Sequence, residues 1–384
     1  MPGDKQLRAF SIREAGMAFS TIRYMEWAKT REVLPGEIDL AVSNMPTVAE
    51  TWEELGIDPS EIPPSGPNSY GYEAARRAIA DRYDVRPEEV MHTMGASMSN
   101  FVFLAAMITP GDRILVERPV YECLSAPVEA LGGVVVPLVR REKNGWRIPV
   151  EDAREEVRNG AKGIFLSNPH NPSGQFSDDD EILRLADAVG HEPWILVDEI
   201  YREWLDNHYR RTIALKRPNL FVTSSLTKVF GLPHLRAGWL IARDDIIRKA
   251  YRALDHMAVV QPFMYEWVTA QVMRDDHRLR RFRDDHRSST VAARAVVDEF
   301  LGGPHGNAFS AVMPDEGGFA FWRLRNGDGD RFRDKLQRQG GVGVAPGRYF
   351  GTPNGFRISW TGGVERARSG LAAMGRFLDE HWEG

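Results

Sequence analysis

A lysine withdrawn from solvent and flanked by other cations loses its proton near neutral pH and becomes a nucleophile or a base. Lys228 stands where that can happen, in Ser224-Ser225-Leu226-Thr227-Lys228, just past the apolar, β-rich run 220–224. Other reactive or ligand-binding residue types fall at comparable places. Asp198 directly follows the apolar run 194–197, where a carboxylate is costly to bury without a positive partner. Tyr201 lies three residues further on. Gly95-Ala96-Ser97 precedes the helix-like run 98–107, so the N–H groups of Ala96 and Ser97 can either meet an anion at a helix N-terminus or simply be capped. The same distribution includes Pro119-Val120-Tyr121, the segment 168–174 with Asn171, Arg236, and Arg357 in Phe356-Arg357-Ile358-Ser359. Each also has an ordinary structural reading: a surface lysine, a helix N-cap at Asp198, core or half-buried aromatics at Tyr121 and Tyr201, and a surface ion pair at Arg357.

What unites these residues is their position at the ends of strand-like runs. Short β-rich stretches at 113–117, 134–138, 163–167, 194–198, 220–224 and 238–242 alternate with helix-like stretches such as 178–190. Several are almost continuously apolar, the pattern of strands buried on both faces. The expectation is an α/β fold with a mainly parallel sheet and flanking helices, in which ligands bind outside the carboxyl ends of the strands. From 265 to 300 the sequence turns polar and helix-favouring without Pro or Gly. A second, smaller α/β region follows, with strand-like pieces at 317–322, 343–347 and 356–360 and a closing helix from 364 to about 381. Near the start, 17–29 reads as a helix and 37–42 as a short strand that can pack on this C-terminal region.

The 384 residues suffice for two domains, and with 42% hydrophobic and 27% charged residues the composition is that of a globular protein. A formal net charge of −5 carries no nucleic-acid footprint. The single cysteine, Cys123, cannot form an internal disulfide, and the opening residues lack the apolar core of a signal peptide. A reducing cytoplasm is therefore expected. The longest apolar run, 101–108, stops at Thr109-Pro110-Gly111-Asp112, far short of a membrane span.

From about Tyr70 to Arg357 the sequence resembles the fold type I, pyridoxal-phosphate-dependent aminotransferases of class I and II. The block 225–238 carries both the lysine and, eight residues later, the arginine of that family's cofactor-lysine signature. Segments 316–322 and 344–351 resemble its small domain. The resemblance implies a large cofactor-binding domain at 46–284 with a seven-stranded type of sheet, and a small domain built from 1–45 and 285–384. It implies that Lys228 forms the internal aldimine with pyridoxal 5'-phosphate and then moves a proton between the substrate α-carbon and the cofactor. Asp198 would hold the pyridinium nitrogen protonated, Tyr201 and Asn171 would bond the phenolic oxygen, and Tyr121 would stack on the ring. Ala96, Ser97, Ser225 and Arg236 would cup the phosphate, and Arg357 would grip the substrate α-carboxylate by a bidentate pairing. Tyr70, directly before the helix start Gly71-Tyr72-Glu73, would reach the phosphate of a neighbouring subunit, so the implied assembly is a homodimer with shared sites.

The implied activity is an aminotransferase acting on an amino acid and a 2-oxo acid, with a lyase, decarboxylase or oxidase on the same cofactor as the alternative. A non-catalytic cofactor-binding regulator is disfavoured, since the residues before Tyr70 show no basic helix-turn-helix character. Departures from the family pattern are His234, two before Arg236, expected first to be packed or hydrogen-bonded and second to be a site histidine, and the glycine-free segment 41–46, whose Ser43 and Asn44 either touch substrate or form a plain exit from a strand. Tyr24, Trp27 and Tyr72 are candidates for an apolar pocket, and Arg23 and Arg31 for a second carboxylate. No metal site is expected: Asp275-Asp276-His277 and Asp284-Asp285-His286 lie nine residues apart, on opposite sides of a helix.

Overall fold

The computed structural model describes residues 19–382. Its largest element is a seven-stranded sheet in the order Val90–Met94, Ala237–Ile241, Leu220–Ser225, Trp194–Asp198, Ala161–Ser167, Arg113–Arg118, Val134–Val139. Every neighbouring pair is parallel except those made by Ala237–Ile241, which runs antiparallel to both its neighbours. The central strands are buried along their whole length because both faces are covered. Ile195 and Val197 point into one hydrophobic cluster and Leu196 into the other, the two-residue period of a strand between two helical layers. This is the α/β architecture expected from the sequence. The strand Val90–Met94 was not among the expected ones, since His92 and Thr93 interrupt its apolar character; both are fully buried and hydrogen-bonded, to Thr269 and Ser99 respectively.

The helix Asp179–Val189 connects two parallel strands, and Asp178 caps it by accepting from the Glu181 amide at 2.7 Å. The polar stretch after residue 262 forms the helices Phe263–Arg274 and Asp276–Gly302, the second continuous through position 284. Beyond it lies a four-stranded antiparallel sheet in the order Ala345–Pro346, Gly355–Ser359, Phe319–Leu324, Phe309–Ala311, covered by the helix Val364–His381. The N-terminal strand is only Ile38–Asp39, and it pairs in parallel with Val342–Gly343. The first described helix is Arg23–Thr30, shorter than the expected 17–29; Met17 and Ala18 lie outside the described residues. No described helix is long and apolar enough to cross a membrane.

Strand direction sets the position of the site. Six strands, Val90–Met94, Arg113–Arg118, Val134–Val139, Ala161–Ser167, Trp194–Asp198 and Leu220–Ser225, end on one edge of the large sheet, and the reversed strand Ala237–Ile241 begins there. Gly95, Pro119, Asn168, Asp198, Ser225 and Arg236 are thereby delivered to one edge, which faces Arg357 on the small sheet.

Candidate active site

Asp198 closes its strand and is buried, with two donors that hold its carboxylate. One carboxylate oxygen accepts from the Asn100 side chain at 2.9 Å and the other from the Ile200 amide at 3.1 Å. Asn100 is itself fixed by Thr223, whose hydroxyl donates to the Asn100 carbonyl at 2.5 Å. Burial raises the Asp198 pKa above the usual carboxylate range, while Asn100, the Ile200 amide and nearby Lys228 pull it back. A cationic group within reach would hold it ionised.

Lys228 keeps partial access to the cleft, yet the surrounding protein desolvates its ammonium strongly. Desolvation is the largest influence on it and the Arg357 cation adds to it; against Tyr24, Asp198 and Cys123 they bring the pKa down to about 8. Its Nζ donates to the Asn44 side-chain oxygen and stands 5.9 Å from the centre of the Tyr201 ring. Tyr201 is buried, its phenol bonded to Ser43 at 2.8 Å and its pKa raised by burial. The glycine-free segment 41–46 therefore touches Lys228 and Tyr201 through Asn44 and Ser43.

Arg357 is fully buried in the strand Gly355–Ser359. Its guanidinium donates to Asn171 Oδ1 at 2.9 Å, the Tyr24 hydroxyl at 3.0 Å and the Ala41 carbonyl at 2.9 Å, while its Nε has no partner. No carboxylate of the described residues pairs with it. The Tyr24 ring meets Tyr121 edge-on at 4.9 Å and lies beside Trp27 and Phe350. Tyr121 precedes the helix Glu122–Ala130; burial raises its pKa well above the ordinary phenol value.

At the far side of Lys228, the helix Ala96–Met107 starts with neither a side-chain cap nor an acidic residue in its first turn. Its first amides, Ala96 and Ser97, are thus left as free donors at the positive end of the helix dipole. Arg236 beside them donates only to the backbone carbonyls of Pro233 and Met94 and pairs with no described carboxylate. The packing is tight: a Cβ at Gly95, whose φ is +86°, would collide with the Arg236 guanidinium, and one at Gly238 would meet the Gly95 backbone. Ser225, register partner of Gly238, accepts from the Thr227 amide at 3.2 Å. Bare amides, a guanidinium without a counter-ion and a cradle that admits only glycine suit a phosphate. A buried carboxylate with neutral donors suits a protonated ring nitrogen, and a lysine with lowered pKa suits an aldehyde.

Several expected residues stand apart. Tyr70 is exposed, its hydroxyl donating to Asp255 at 3.2 Å and its ring beside Tyr251, and it touches none of the residues above. Tyr72 packs on Phe263, away from Tyr24. Neither arginine proposed for a second carboxylate is free: Arg23 pairs with Glu122 at 3.1 Å, and Arg31 with Glu37 at 3.0 Å and with Asp39. His234 is exposed and unbonded rather than packed. Asp276 pairs with Arg82 and His286 bonds the Val229 carbonyl, and no metal-like cluster occurs among the described residues. Asn100 and Thr223 were not anticipated. Their only sequence signal is a polar residue within an apolar helix or strand.

A family model for aminotransferase class I and II matches residues 63–372. The chain is 30% identical over 327 residues to capreomycidine synthase of Streptomyces vinaceus, covering 82% of this chain and 81% of that one. Among solved structures it is similar to a PLP-dependent aminotransferase from Streptococcus suis 89-1591, with TM-score 0.83, 23% identity and coverage of 96% and 100%. It is also similar to the PLP-dependent cyclase OrfR, with TM-score 0.83, 23% identity and coverage of 94% and 98%. The chain belongs to the aminotransferase class I and II family. It is a pyridoxal-phosphate-dependent enzyme of fold type I.

Proposed function

We propose that the enzyme transfers an amino group from an amino acid to a 2-oxo acid, using one site for both halves of the reaction. The observation that carries this reading is Arg357: a fully buried guanidinium with no carboxylate partner among the described residues, within electrostatic range of Lys228, is a place for a substrate carboxylate. The cofactor supplies an electron sink for the negative charge left when a substrate α-carbon loses its proton. Lys228 binds the cofactor aldehyde and, once released, takes and returns that proton; a pKa of about 8 leaves a usable fraction of free amine at neutral pH.

Asp198 keeps the ring nitrogen protonated and is aimed by Asn100. Tyr201 and Asn171 would bond the phenolic oxygen; since Asn171 Oδ1 accepts from Arg357, its Nδ2 hydrogens remain to donate. Tyr121 stacks on the ring. The amides of Ala96 and Ser97, with Ser225 and Arg236, hold the phosphate. We assign the cofactor-bearing domain to 46–284 and, among the described residues, the small domain to 19–45 and 285–382. In a homodimer Tyr70 would reach the second copy's phosphate. A cytoplasmic setting suits the lone, half-buried Cys123, whose thiol burial pushes up to about 11.

A second reading keeps the cofactor and changes the bond broken, giving elimination, decarboxylation, oxidation or ring closure. It is supported by relatives named as a synthase and as a cyclase. The two readings separate in one experiment. Purified holoenzyme is incubated with each common amino acid without an acceptor, and cofactor absorbance and products are followed. One equivalent of 2-oxo acid with conversion to the pyridoxamine form establishes transamination. Continued turnover without an acceptor, giving ammonia, an amine, peroxide or a cyclised amino acid, establishes the second reading. Lys228→Ala should abolish either activity, and wild-type turnover in that variant would overturn both.

A further inference from the structure

Behind the substrate side of the cleft lies a buried ion pair that the chemistry above does not use. Glu117 is the penultimate residue of the strand Arg113–Arg118, and Arg140 directly follows the neighbouring strand Val134–Val139; both are fully buried, with Glu117 Oε2 2.9 Å from Arg140 Nη2. Such a pair contributes little net stability, because desolvating two charges offsets most of their attraction. Its bonds lead to the active site. Glu117 Oε1 accepts from the Ser167 amide at 2.7 Å and from the Ser167 hydroxyl at 2.5 Å. The Ser167 oxygen in turn accepts from the Asn171 amide at 3.0 Å, and Asn171 Oδ1 accepts from Arg357.

We propose that Glu117, held by Arg140, is a positioning residue that sets the substrate-carboxylate site by fixing the direction of the Ser167 hydroxyl. A carboxylate only accepts hydrogen bonds, so beside Glu117 the hydroxyl must donate to it, and the lone pairs of Ser167 are presented to the Asn171 amide. The Asn171 carbonyl accepts from the Tyr121 amide at 3.1 Å, so its backbone is pinned on both sides and its side chain is committed to Arg357. His170 does not compete for Glu117. Its Nε2 bonds the Pro119 carbonyl at 2.8 Å and must carry the proton there, its Nδ1 faces Ser173, and burial together with Arg140 keeps the ring neutral.

The inference rests on Arg357 as the carboxylate-binding residue, and the test separates the two. Calorimetric titration of holoenzyme with the unreactive acid 3-phenylpropionate is compared for wild type, Ser167→Ala, Glu117→Gln and Arg357→Ala, alongside KM and kcat for the amino donor. Ser167→Ala removes the link but leaves the Glu117–Arg140 pair intact, so it decides the matter if Glu117→Gln does not fold. Glu117→Gln keeps the shape but sets its amide donor either against Arg140 or against Ser167, whose amide and hydroxyl both donate to Glu117 Oε1, so in either orientation the Ser167 hydroxyl is held less firmly toward the Asn171 amide. Both variants should bind the acid about 5–20-fold more weakly and raise KM by a similar factor with kcat within about threefold, the loss of roughly one hydrogen bond. If Arg357→Ala abolishes binding while both others match wild type, or if they lower only the melting temperature, the positioning role is overturned. If Arg357→Ala binds the acid normally, the carboxylate reading itself fails.

Discussion

Two buried guanidiniums in this molecule are treated in opposite ways. Arg82, under the loop that follows Tyr201, is held by Glu203 through two of its nitrogens and by Asp276 at 3.1 Å, while the Tyr83 hydroxyl closes on Glu203 at 2.6 Å. Arg357, equally buried, has only neutral oxygens around it and an Nε with no partner. Burying a charge is costly, and the usual remedy is an opposite charge at close range. Where the remedy is built in, the arginine belongs to the scaffold. Where it is withheld, the protein holds a cation ready for an anion that arrives with the substrate. Arg236, beside bare helix amides and without a carboxylate, follows the second pattern.

The sharpest way to break this comparison is to damage each arginine system and ask what is lost. Glu203→Gln leaves Arg82 buried with a weakened counter-charge and should cost about 3–5 kcal/mol of stability, read as a lower denaturation midpoint, while the enzyme that still folds keeps near-normal kcat/KM. Arg357→Ala should do the reverse. Loss of a bidentate, desolvated pairing should raise KM for the amino donor by about 100–1,000-fold, with the denaturation midpoint unchanged or raised, because an uncompensated buried charge is gone. Equal loss of stability in both variants would erase the distinction.

The lysine sharpens it further. Lys228 is surrounded so that its neutral form is favoured, whereas a scaffold cation is surrounded so that its charge is favoured. A depressed lysine pKa means the free amine dominates above that value. In apoenzyme the rate of pyridoxal 5'-phosphate capture should therefore rise about tenfold per pH unit up to about 8 and level off beyond it. A midpoint near 10.5, the ordinary value, would show that the cleft does not perturb Lys228.

The sequence exposed one half of this arrangement better than the other. Asp198 was picked out by a local pattern, a polar residue at the end of an apolar strand, whereas Lys228, three residues past its strand, was picked out by the resemblance of the block 225–238; strand direction then brings the two segments to one edge. The strand Trp194–Asp198 and the helix Val364–His381 fall where their patterns put them. Asn100, Thr223, Ser167 and Glu117 were not legible as site residues, since each matters through a partner 50 to 123 residues away, and a buried polar contact of that separation leaves no periodic trace. The same reason hid the ion pair of Arg23, whose partner Glu122 lies 99 residues away; Arg31 pairs with the nearby Glu37 and Asp39, across a turn that has no periodic pattern to mark it. The strand Val90–Met94 was masked by buried polar side chains whose partners are Ser99 on the helix that follows it and Thr269 on a helix far along the chain.

The smallest effect tests one of those unread contacts. Asn100 bridges two strand ends, accepting from Thr223 and donating to Asp198, so it aims a carboxylate that burial alone would leave protonated more readily. Asn100→Ala removes a donor that favours the ionised form of Asp198, and the carboxyl pKa should move further up. The loss is that of one hydrogen bond to a charged group, about 1.5–2 kcal/mol, or roughly 10–30-fold in kcat. Because Asp198 would act on the cofactor ring and not on the substrate carboxylate, KM should stay within about threefold, the opposite split from Ser167→Ala. A variant that raises KM and spares kcat would place Asn100 with the carboxylate site instead, and would undo the assignment of Asp198 and Arg357 to separate duties.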